Sequence, residues 1–386
     1  MSTSAFLKMP NSIYAGTDLT KHLDELIKLQ TNQKVLLFTD KGIEANHLVD
    51  PLITYFEHEG ITYQVEDEIK PEPSYVQVDA LLQKVSQFDF GLIVAIGGGS
   101  VMDAAKLISL LRGADYTIQD LIQNASIAKK QVPSVMIPTT TGTGSEATIN
   151  AIVTIPEKQV KFGIVSGEML PDLVLLDVNN VKKLPKSILA ASAVDALSHC
   201  VECYTSKNAT IFSNDIAAIG ARYIFQNLVT AYQDEDNVAA REALLLGAFY
   251  GGVAITASGT TAVHALSYPL GGKFHIAHGV SNAVLFKQVM TFNKDAIMPQ
   301  LANLTDFVFP DNQQDSEVSK ADFMIAKIAD IVEAVAIPTD LKQFGVTLAD
   351  LDFLIDSALQ QTRLLDHNMK VLSREDVENI YRSILS

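Results

Sequence analysis

Short hydrophobic runs alternate with amphipathic stretches over the first half of the chain. Runs rich in Val, Ile and Leu, bounded by turn-forming residues, predict buried β-strands at residues 35–40, 90–99, 133–140 and 172–178. Apolar residues at three- and four-residue spacing predict helices at residues 21–29, 49–58, 75–86 and 101–111. This alternation is typical of an α/β fold in which helices flank a parallel sheet.

The pattern changes near residue 185, where Ala- and Leu-rich segments with helical spacing replace the strands. They predict helices at residues 187–204, 214–232, 237–257, 320–334, 348–364 and 375–385. Ser373 and Asp376 form a capping-box pattern before the last helix, and the polar stretch 310–319 predicts an exposed loop. We therefore expect an α/β dinucleotide-binding domain over residues 1–183 and an all-helical metal-binding domain over residues 184–386.

Composition narrows the class of protein. Of the 386 residues 48% are hydrophobic, enough for two cores, so disorder is excluded as the dominant state. The net charge of −16 disfavours nucleic acid and anionic membrane surfaces as partners. The two cysteines, Cys200 and Cys203, are too few for a disulfide framework and are expected to be small buried residues. We find no signal-peptide pattern and no stretch approaching membrane-spanning length, so we expect a soluble cytoplasmic protein.

A glycine-rich turn joins the second predicted strand to a helix. Gly97, Gly98 and Gly99 are followed by Ser100 and a segment with helical spacing. Glycines there permit positive φ and close approach of a pyrophosphate, which the helix N-terminus favours. Ser100 is expected to cap this helix, with Asp103 at the capping-box position. The alternative is a tight turn that binds no ligand.

Two further features favour a dinucleotide site. Asp40 ends a predicted strand, where a carboxylate can accept hydrogen bonds from ribose hydroxyls and favour NAD over NADP. Residues 138–146, PTTTGTGSE, offer hydroxyl and N–H groups just after another strand, or else form an ordinary polar turn. Because Asp40 precedes the glycine turn, the arrangement differs from the usual Rossmann fingerprint.

Histidines concentrate in the helical half. Asp195 and His199 are four residues apart and share one helix face, while His264, His275 and His278 lie in one short segment. Apolar neighbours surround Asp195, and a buried carboxylate needs a partner. A carboxylate with several imidazoles suits Zn²⁺ or Fe²⁺. The alternative is a solvated helix face or a hydrogen-bonded core pair.

A divalent cation held by one carboxylate keeps a net positive charge, which favours loss of a proton from an alcohol. Hydride donation from an alcohol to a nicotinamide requires that proton loss. The two predicted sites therefore form a coherent pair.

Five motifs together resemble the iron-containing (group III) alcohol dehydrogenase family, which includes lactaldehyde reductases and 1,3-propanediol dehydrogenases. They are AIGGGSVMDAAK, PTTTGTGSEAT, AVDALSHCVECY, AVHALSYPLGGKFHIAHGVSNAVLF and LSREDVENIYRSIL. The resemblance extends from end to end of the chain. It implies an N-terminal dinucleotide-binding domain, an all-helical C-terminal domain and one divalent metal in the cleft between them.

The resemblance also implies residue roles. The family's four metal ligands match Asp195, His199, His264 and His278. Its cofactor contacts match Asp40, Gly97, Gly98, Gly99, Ser100, Asp103, Thr139, Thr140, Thr143, Asn150 and Lys161. It further implies NAD as cofactor, Fe²⁺ with Zn²⁺ as the alternative metal, and a homodimer or larger homo-oligomer.

One departure concerns proton transfer. Many family members carry a histidine four residues after the third ligand, where this chain has Tyr268. A phenol, with an ordinary pKa of about 10, is a slower relay at neutral pH. His275 either takes over this role or is an exposed loop histidine.

We therefore expect an NAD-dependent dehydrogenase that acts on a small primary alcohol or diol, or on the corresponding aldehyde. A dehydroquinate synthase-like lyase and a glycerol dehydrogenase-like enzyme are alternatives of the same fold. The lyase is disfavoured because no cluster of Lys and Arg surrounds residues 195–278. A nucleotide-binding sensor without catalysis is the non-enzymatic alternative.

Overall fold

The computed structural model describes residues 5–30, 32, 34–157 and 160–385. Its contacts divide the chain into two compact units. The α/β unit contains residues 8–140 and 144–184, and the helical unit contains the rest, including the short segment 141–143. Residues 141–143 fall within the predicted N-terminal domain but belong to the helical unit, which the local sequence pattern does not show. Residues 1–4, 31, 33, 158, 159 and 386 of the two predicted domains lie outside the described residues.

The α/β unit is built on a six-stranded parallel sheet. Its strands and helices are β1 (Ser12–Gly16), α1 (Asp24–Ile27), β2 (Lys34–Phe38), α2 (Lys41–Ala45), α3 (Asp50–His58), β3 (Thr62–Glu66), α4 (Tyr75–Val85), β4 (Leu92–Gly97), α5 (Gly99–Leu111), α6 (Ile118–Gln123), β5 (Ser134–Pro138), β6 (Asn150–Ile155), β7 (Val160–Val165) and β8 (Leu173–Asp177). The strand order is β1-β8-β5-β4-β2-β3, and β6 and β7 form a separate antiparallel pair.

Both faces of the sheet are buried because alternate side chains of each strand point to opposite sides. Leu36 and Phe38 of β2 pack with helices α4 and α5, while Val35 and Leu37 pack on the opposite side with α3. The inner strands therefore read as continuous hydrophobic runs. The helices that follow β2 and β4, α3 and α5, thus cover opposite faces of the sheet. In open α/β sheets, a ligand crevice is expected at the carboxyl ends of two such neighbouring strands.

The helical unit contains nine α-helices among its described residues. They are α7 (Lys186–Tyr204), α8 (Ile211–Gln233), α9 (Val238–Ser258), α10 (Ala262–Phe274), α11 (His278–Val308), α12 (Glu317–Ala334), α13 (Leu351–Leu359), α14 (Thr362–Leu365) and α15 (Arg374–Leu385). The predicted fold class, a parallel sheet with flanking helices followed by a helical part, is confirmed. The predicted single helix at residues 348–364 is wrong, because α13 ends at Leu359 and a new turn begins at Thr362.

Two expectations about helices have clear outcomes. The capping box before α15 is confirmed, since the Asp376 carboxylate accepts from the Ser373 backbone N–H at 2.9 Å and the Ser373 hydroxyl accepts from the Asp376 N–H at 3.1 Å. The expectation that no segment reaches membrane-spanning length is wrong. Helix α9 is long and apolar enough by length and composition, but 67% of its apolar window is buried inside the protein. Such burial is typical of a core helix.

Candidate functional site

The glycine turn begins helix α5 in a way that differs from the expected cap. Gly98 is the N-cap residue, and Gly98 has a φ of −81°, so positive φ is not what this position requires. At Gly97 the requirement is space, because a Cβ there would lie 2.7 Å from the Val101 side chain. The prediction that Ser100 caps the helix is wrong. Its hydroxyl instead accepts a hydrogen bond from the Glu72 backbone N–H at 3.0 Å.

Asp103 also differs from the predicted capping role. It lies inside α5, and its carboxylate accepts hydrogen bonds from the Ser145 hydroxyl at 2.5 Å and the Ile152 N–H at 2.9 Å. Lys106, one turn further along, donates to the Ser145 hydroxyl at 2.8 Å and to the Asn150 carbonyl at 2.9 Å. These buried bonds join α5 to the PTTTGTGSE segment and to β6.

Several predicted cofactor contacts meet at the carboxyl ends of β2, β4 and β5. Thr139 follows β5, and its N–H donates to the Gly97 carbonyl at 3.0 Å. The Thr139 hydroxyl oxygen is buried and has no hydrogen-bond partner within the described part of the chain. The Thr140 methyl group would lie 3.6 Å from a Cβ at Gly98. A buried hydroxyl without a partner beside a glycine turn is suited to a ligand.

Asp40 follows β2 at the same edge of the sheet. It is the N-cap of α2, where its Oδ1 accepts from the N–H groups of Gly42 at 2.8 Å and Ile43 at 3.0 Å. One carboxylate oxygen is therefore used by the cap. Helix α2 thus holds the carboxylate in a fixed orientation.

The remaining predicted contacts are dispersed. Asn150 and Lys161 lie on the β6–β7 hairpin, and Lys161 forms an ion pair with Glu72 at 2.5 Å. Thr143 belongs to the helical unit, in the segment whose Thr141 hydroxyl lies 3.1 Å from the Ser192 hydroxyl of α7. Asn150 and Lys161 therefore belong to the α/β unit and Thr143 to the helical unit.

A second group of side chains converges inside the helical unit. Asp195 and His199 lie on α7, His264 on α10 and His278 at the start of α11. The Oδ1 atom of Asp195 lies 3.6 Å from His199 Nε2, 3.5 Å from His264 Nε2 and 3.7 Å from His278 Nε2. All four predicted ligand side chains are thus brought together. Three of them are almost wholly buried, and the His278 side chain is 30% exposed.

These distances suit a shared cation better than direct hydrogen bonds, which are shorter. Two ligands of a tetrahedral metal, each about 2.1 Å from the ion, lie roughly 3.4 Å apart. A buried carboxylate oxygen with three imidazole nitrogens is a donor set typical of Zn²⁺ and Fe²⁺. The residues present therefore fit a divalent metal.

Charge at this cluster follows from burial and pairing. Burial alone would raise the pKa of Asp195, but the neighbouring His199, His278 and His264 imidazoles hold it well below its usual range. Burial lowers the pKa of His199 to about 4. Asp195 and His199 thus hold the protonation states that metal binding requires. At His264 burial lowers the pKa, but Glu202 and Asp195 raise it to about 9, so a metal would displace a proton from that ring.

Sequence reasoning missed Glu202, which is fully buried on α7. Its Oε2 accepts a hydrogen bond from His264 Nδ1, and its Oε1 accepts from the Thr261 N–H at 3.1 Å, the Thr261 hydroxyl at 2.7 Å and the Val263 N–H at 2.8 Å. The signal was available, because residues 195, 199 and 202 share one helix face.

Asn282 is the second residue that was missed. Its Nδ2 donates to Asp195 Oδ1 at 2.6 Å and lies 3.2 Å from His264 Nε2 and 3.3 Å from His278 Nε2. The four-residue spacing between His278 and Asn282 on α11 was the available signal. Asn282 therefore holds the Asp195 carboxylate from the side of α11.

The two candidate proton relays differ in placement. Tyr268 is buried on α10, with its ring centre 6.0 Å from that of His278. His275 is exposed at the C-cap of α10, with a left-handed φ of 55°. Its placement is that of a surface loop histidine.

The two cysteines are free, buried and bonded to carbonyl groups. Cys203 Sγ lies 3.6 Å from the Gly259 carbonyl and Cys200 Sγ lies 4.0 Å from that of Gly247. Burial raises the pKa of both thiols.

Comparison with known proteins agrees with this architecture. The sequence profile of the iron-containing alcohol dehydrogenase family matches residues 10–178, and the C-terminal profile of the Fe-containing alcohol dehydrogenase family matches residues 189–385. Long-chain-alcohol dehydrogenase 1 of Geobacillus thermodenitrificans (strain NG80-2) is 32% identical over 94% of this chain and 92% of its own length. The NAD-dependent methanol dehydrogenase of Bacillus methanolicus is 27% identical over 98% of this chain and 99% of its own length.

A solved structure of 1,3-propanediol oxidoreductase superposes with a TM-score of 0.92 at 28% identity, covering 99% of this chain and 100% of that one. The fold and the two sites thus define a metal-dependent oxidoreductase. The chain belongs to the iron-containing alcohol dehydrogenase family. The family inferred from the five motifs is therefore confirmed, as is the expectation of an alcohol dehydrogenase, and the lyase and sensor alternatives are not favoured.

Proposed function

We propose that the protein is an NAD(H)-dependent dehydrogenase of a small primary alcohol or diol, or a reductase of the corresponding aldehyde, and that it requires Fe²⁺, with Zn²⁺ as the alternative. The convergence of Asp195, His199, His264 and His278 carries this proposal. The names of the relatives from Bacillus methanolicus and of the propanediol oxidoreductase support the cofactor and the substrate class.

Asp195 and the three imidazole Nε2 atoms would hold the metal. A divalent cation supplies Lewis acidity, which lowers the pKa of an alcohol hydroxyl. Glu202 orients His264, and Asn282 orients Asp195, through hydrogen bonds. The ionised carboxylate of Asp195 neutralises part of the cation's charge, so that a positive excess remains for the substrate oxygen.

The dinucleotide is assigned to the carboxyl edge of the sheet. Its pyrophosphate is assigned to the N-terminus of α5, where free N–H groups and the helix dipole favour an anion. Thr139 offers a buried hydroxyl there. The proposed contacts are Asp40, Gly97, Gly98, Gly99, Ser100, Asp103, Thr139, Thr140, Thr143, Asn150 and Lys161.

We propose that Tyr268, rather than His275, relays the proton. Tyr268 is buried beside His278, whereas His275 is exposed at a helix end. The Tyr268 hydroxyl can both accept and donate a proton.

We further propose that the protein works in the cytoplasm as a homodimer or larger homo-oligomer. Two buried free cysteines suit a reducing compartment, and the acidic net charge disfavours nucleic acid and membrane partners.

Asp195→Ala and His264→Ala test the metal centre. Each removes one ligand, so we expect metal content and turnover of short aldehydes with NADH to be lost together. Elemental analysis of anaerobically purified protein and an NADH oxidation assay measure the two quantities. His58→Ala, which removes an exposed histidine of the α/β unit, is the matched control. Full turnover in a metal-free Asp195→Ala protein would refute the proposal.

A further inference from the structure

Glu72 lies in a constrained loop between β3 and α4. Its φ of 52° is in the left-handed region, where residues other than Gly, Asn and Asp are uncommon. Its N–H donates to the Ser100 hydroxyl at 3.0 Å, and its carbonyl accepts from the Thr154 hydroxyl at 3.1 Å. The backbone of Glu72 is thus fixed both to the glycine turn and to the β6–β7 hairpin.

The side chain of Glu72 pairs with Lys161. Its Oε1 lies 2.5 Å from the Lys161 Nζ, and the Lys161 side chain is 5% exposed whereas that of Glu72 is 41% exposed. A buried ammonium is costly without an anion, and Glu72 supplies one. Because the carboxylate is at the solvent side, the pair can open by a rotation of Glu72 while Lys161 stays in place.

We propose that Glu72 competes with the dinucleotide for Lys161 and thereby sets the affinity of the protein for its cofactor. This inference rests on the proposed function, in which Lys161 and the glycine turn contact NAD(H). The Lys161 ammonium is paired with Glu72, so a dinucleotide that takes this ammonium in place of the carboxylate has to open the ion pair. A binding-competent state that is only partly populated weakens the apparent affinity in proportion.

The alternative is a purely structural pair that fixes the loop to the hairpin. The two readings differ in their consequences. If the pair is only structural, neutralising Glu72 lowers thermal stability and leaves cofactor affinity unchanged. If the pair competes with the cofactor, neutralising Glu72 tightens cofactor binding.

Glu72→Gln in the full chain tests the inference. Gln keeps the shape of the side chain and removes its charge, so we expect NADH to bind about tenfold more tightly, as measured by fluorescence titration. Glu72→Asn is a second variant, because Asn tolerates the left-handed conformation. Glu157→Gln is the matched control: Glu157 lies beside the same hairpin, is exposed, and accepts a hydrogen bond from the Tyr75 hydroxyl at 2.8 Å.

A double-mutant cycle with Lys161→Gln shows whether Glu72 acts through Lys161. We expect Glu72→Gln to change the NADH Kd by less than about twofold in the Lys161→Gln background. A full gain in that background would mean direct repulsion of the cofactor and would overturn the inference. So would an unchanged Kd of Glu72→Gln in the otherwise native chain. Failure of the native protein to bind NADH at all would instead refute the proposed function, and this inference with it.

Discussion

The hydrogen bond between Glu202 and His264 determines which imidazole nitrogen faces the ligand cluster. The Glu202 carboxylate accepts at Nδ1 and keeps a proton there, so Nε2 is the nitrogen that would bind a cation. Burial would raise the pKa of Glu202, but His264 and the Thr261 and Val263 donors lower it. The buried Glu202 carboxylate thus sets the tautomer of His264 without being a metal ligand itself.

Glu202→Gln is expected to weaken metal binding by roughly 10- to 100-fold. Three donors already occupy the Oε1 position, so the Gln amide nitrogen must face His264 and donate to Nδ1. The ring proton then moves to Nε2 and blocks the electron pair. Chelator competition measures the affinity, with the exposed Glu235→Gln as control. An unchanged affinity would show that Glu202 only packs there.

Glu146, in the α/β unit, makes stability depend on pH. Burial raises its pKa from 4.5 to about 7. Since the folded pKa exceeds the unfolded one, the folded state binds the proton more tightly. The contribution of protonated Glu146 to the free energy of unfolding is fully present below pH 4.5 and is lost as the pH rises through 7.

We therefore expect Glu146→Gln to unfold at a higher temperature than the native chain at pH 8 and to lose that advantage near pH 4.5. The cost of ionising the native side chain is roughly 3 kcal/mol at pH 8. Calorimetry across this pH range measures the difference, with the exposed Glu157→Gln as control. A parallel pH dependence in both proteins would contradict the assignment.

At the scale of elements, the approach of α11 to α7 brings His278 to the ligand cluster. Gly279, the next residue, has no room for a side chain, because a Cβ there would lie 2.0 Å from the Ala191 carbonyl oxygen. The two helices therefore touch through backbone. A larger residue at this position must separate them.

Gly279→Ala is expected to lower both thermal stability and metal content, because it displaces the start of α11 and with it His278. Overpacking of this kind costs about 1–3 kcal/mol. Gly247→Ala is the matched control: its Cβ would lie 2.7 Å from the Ile224 side chain, and its nearest neighbours lie on α8 rather than among the ligand residues. Equal metal content in the two variants would show that this contact does not position His278.

The strands that were predicted and those that were missed differ in position. The four predicted strands correspond to β2, β4, β5 and β8, which are the inner four of the sheet. The missed strands β1 and β3 are its edges, and a half-exposed edge strand lacks a continuous apolar run. Strands β6 and β7, which form the separate antiparallel pair, were also missed. Helix 21–29 was overestimated, since a 3₁₀ turn at Leu19–Leu23 precedes the short α1.

The site was predictable to a similar extent. The four ligand candidates are visible as motifs, whereas the Glu202–His264 bond joins residues 62 positions apart in the chain. The Ser100 cap failed because the N-cap is Gly98, two residues before the polar residue. The pairing of Glu202 with His264 is a long-range contact, and local residue spacing does not reveal such a partner.

For the whole molecule, metal binding should couple to folding. A ligand set that exists only in the folded helical unit stabilises that state, by about 2.7 kcal/mol at a free metal concentration of 100 times Kd. We expect the unfolding temperature to rise with added Fe²⁺ or Zn²⁺ under anaerobic conditions. Calorimetry measures it, and Asp195→Ala should show no such rise. A rise of equal size in that variant would place the stabilising ion elsewhere.

The burial of both thiols makes their alkylation a probe of unfolding in the helical unit. Only a thiolate reacts with an alkylating reagent, and Cys200 and Cys203 are shielded from solvent with their pKa raised. Iodoacetamide should therefore modify only molecules whose helical unit has come apart. The rate of alkylation in a native sample reports how often that happens.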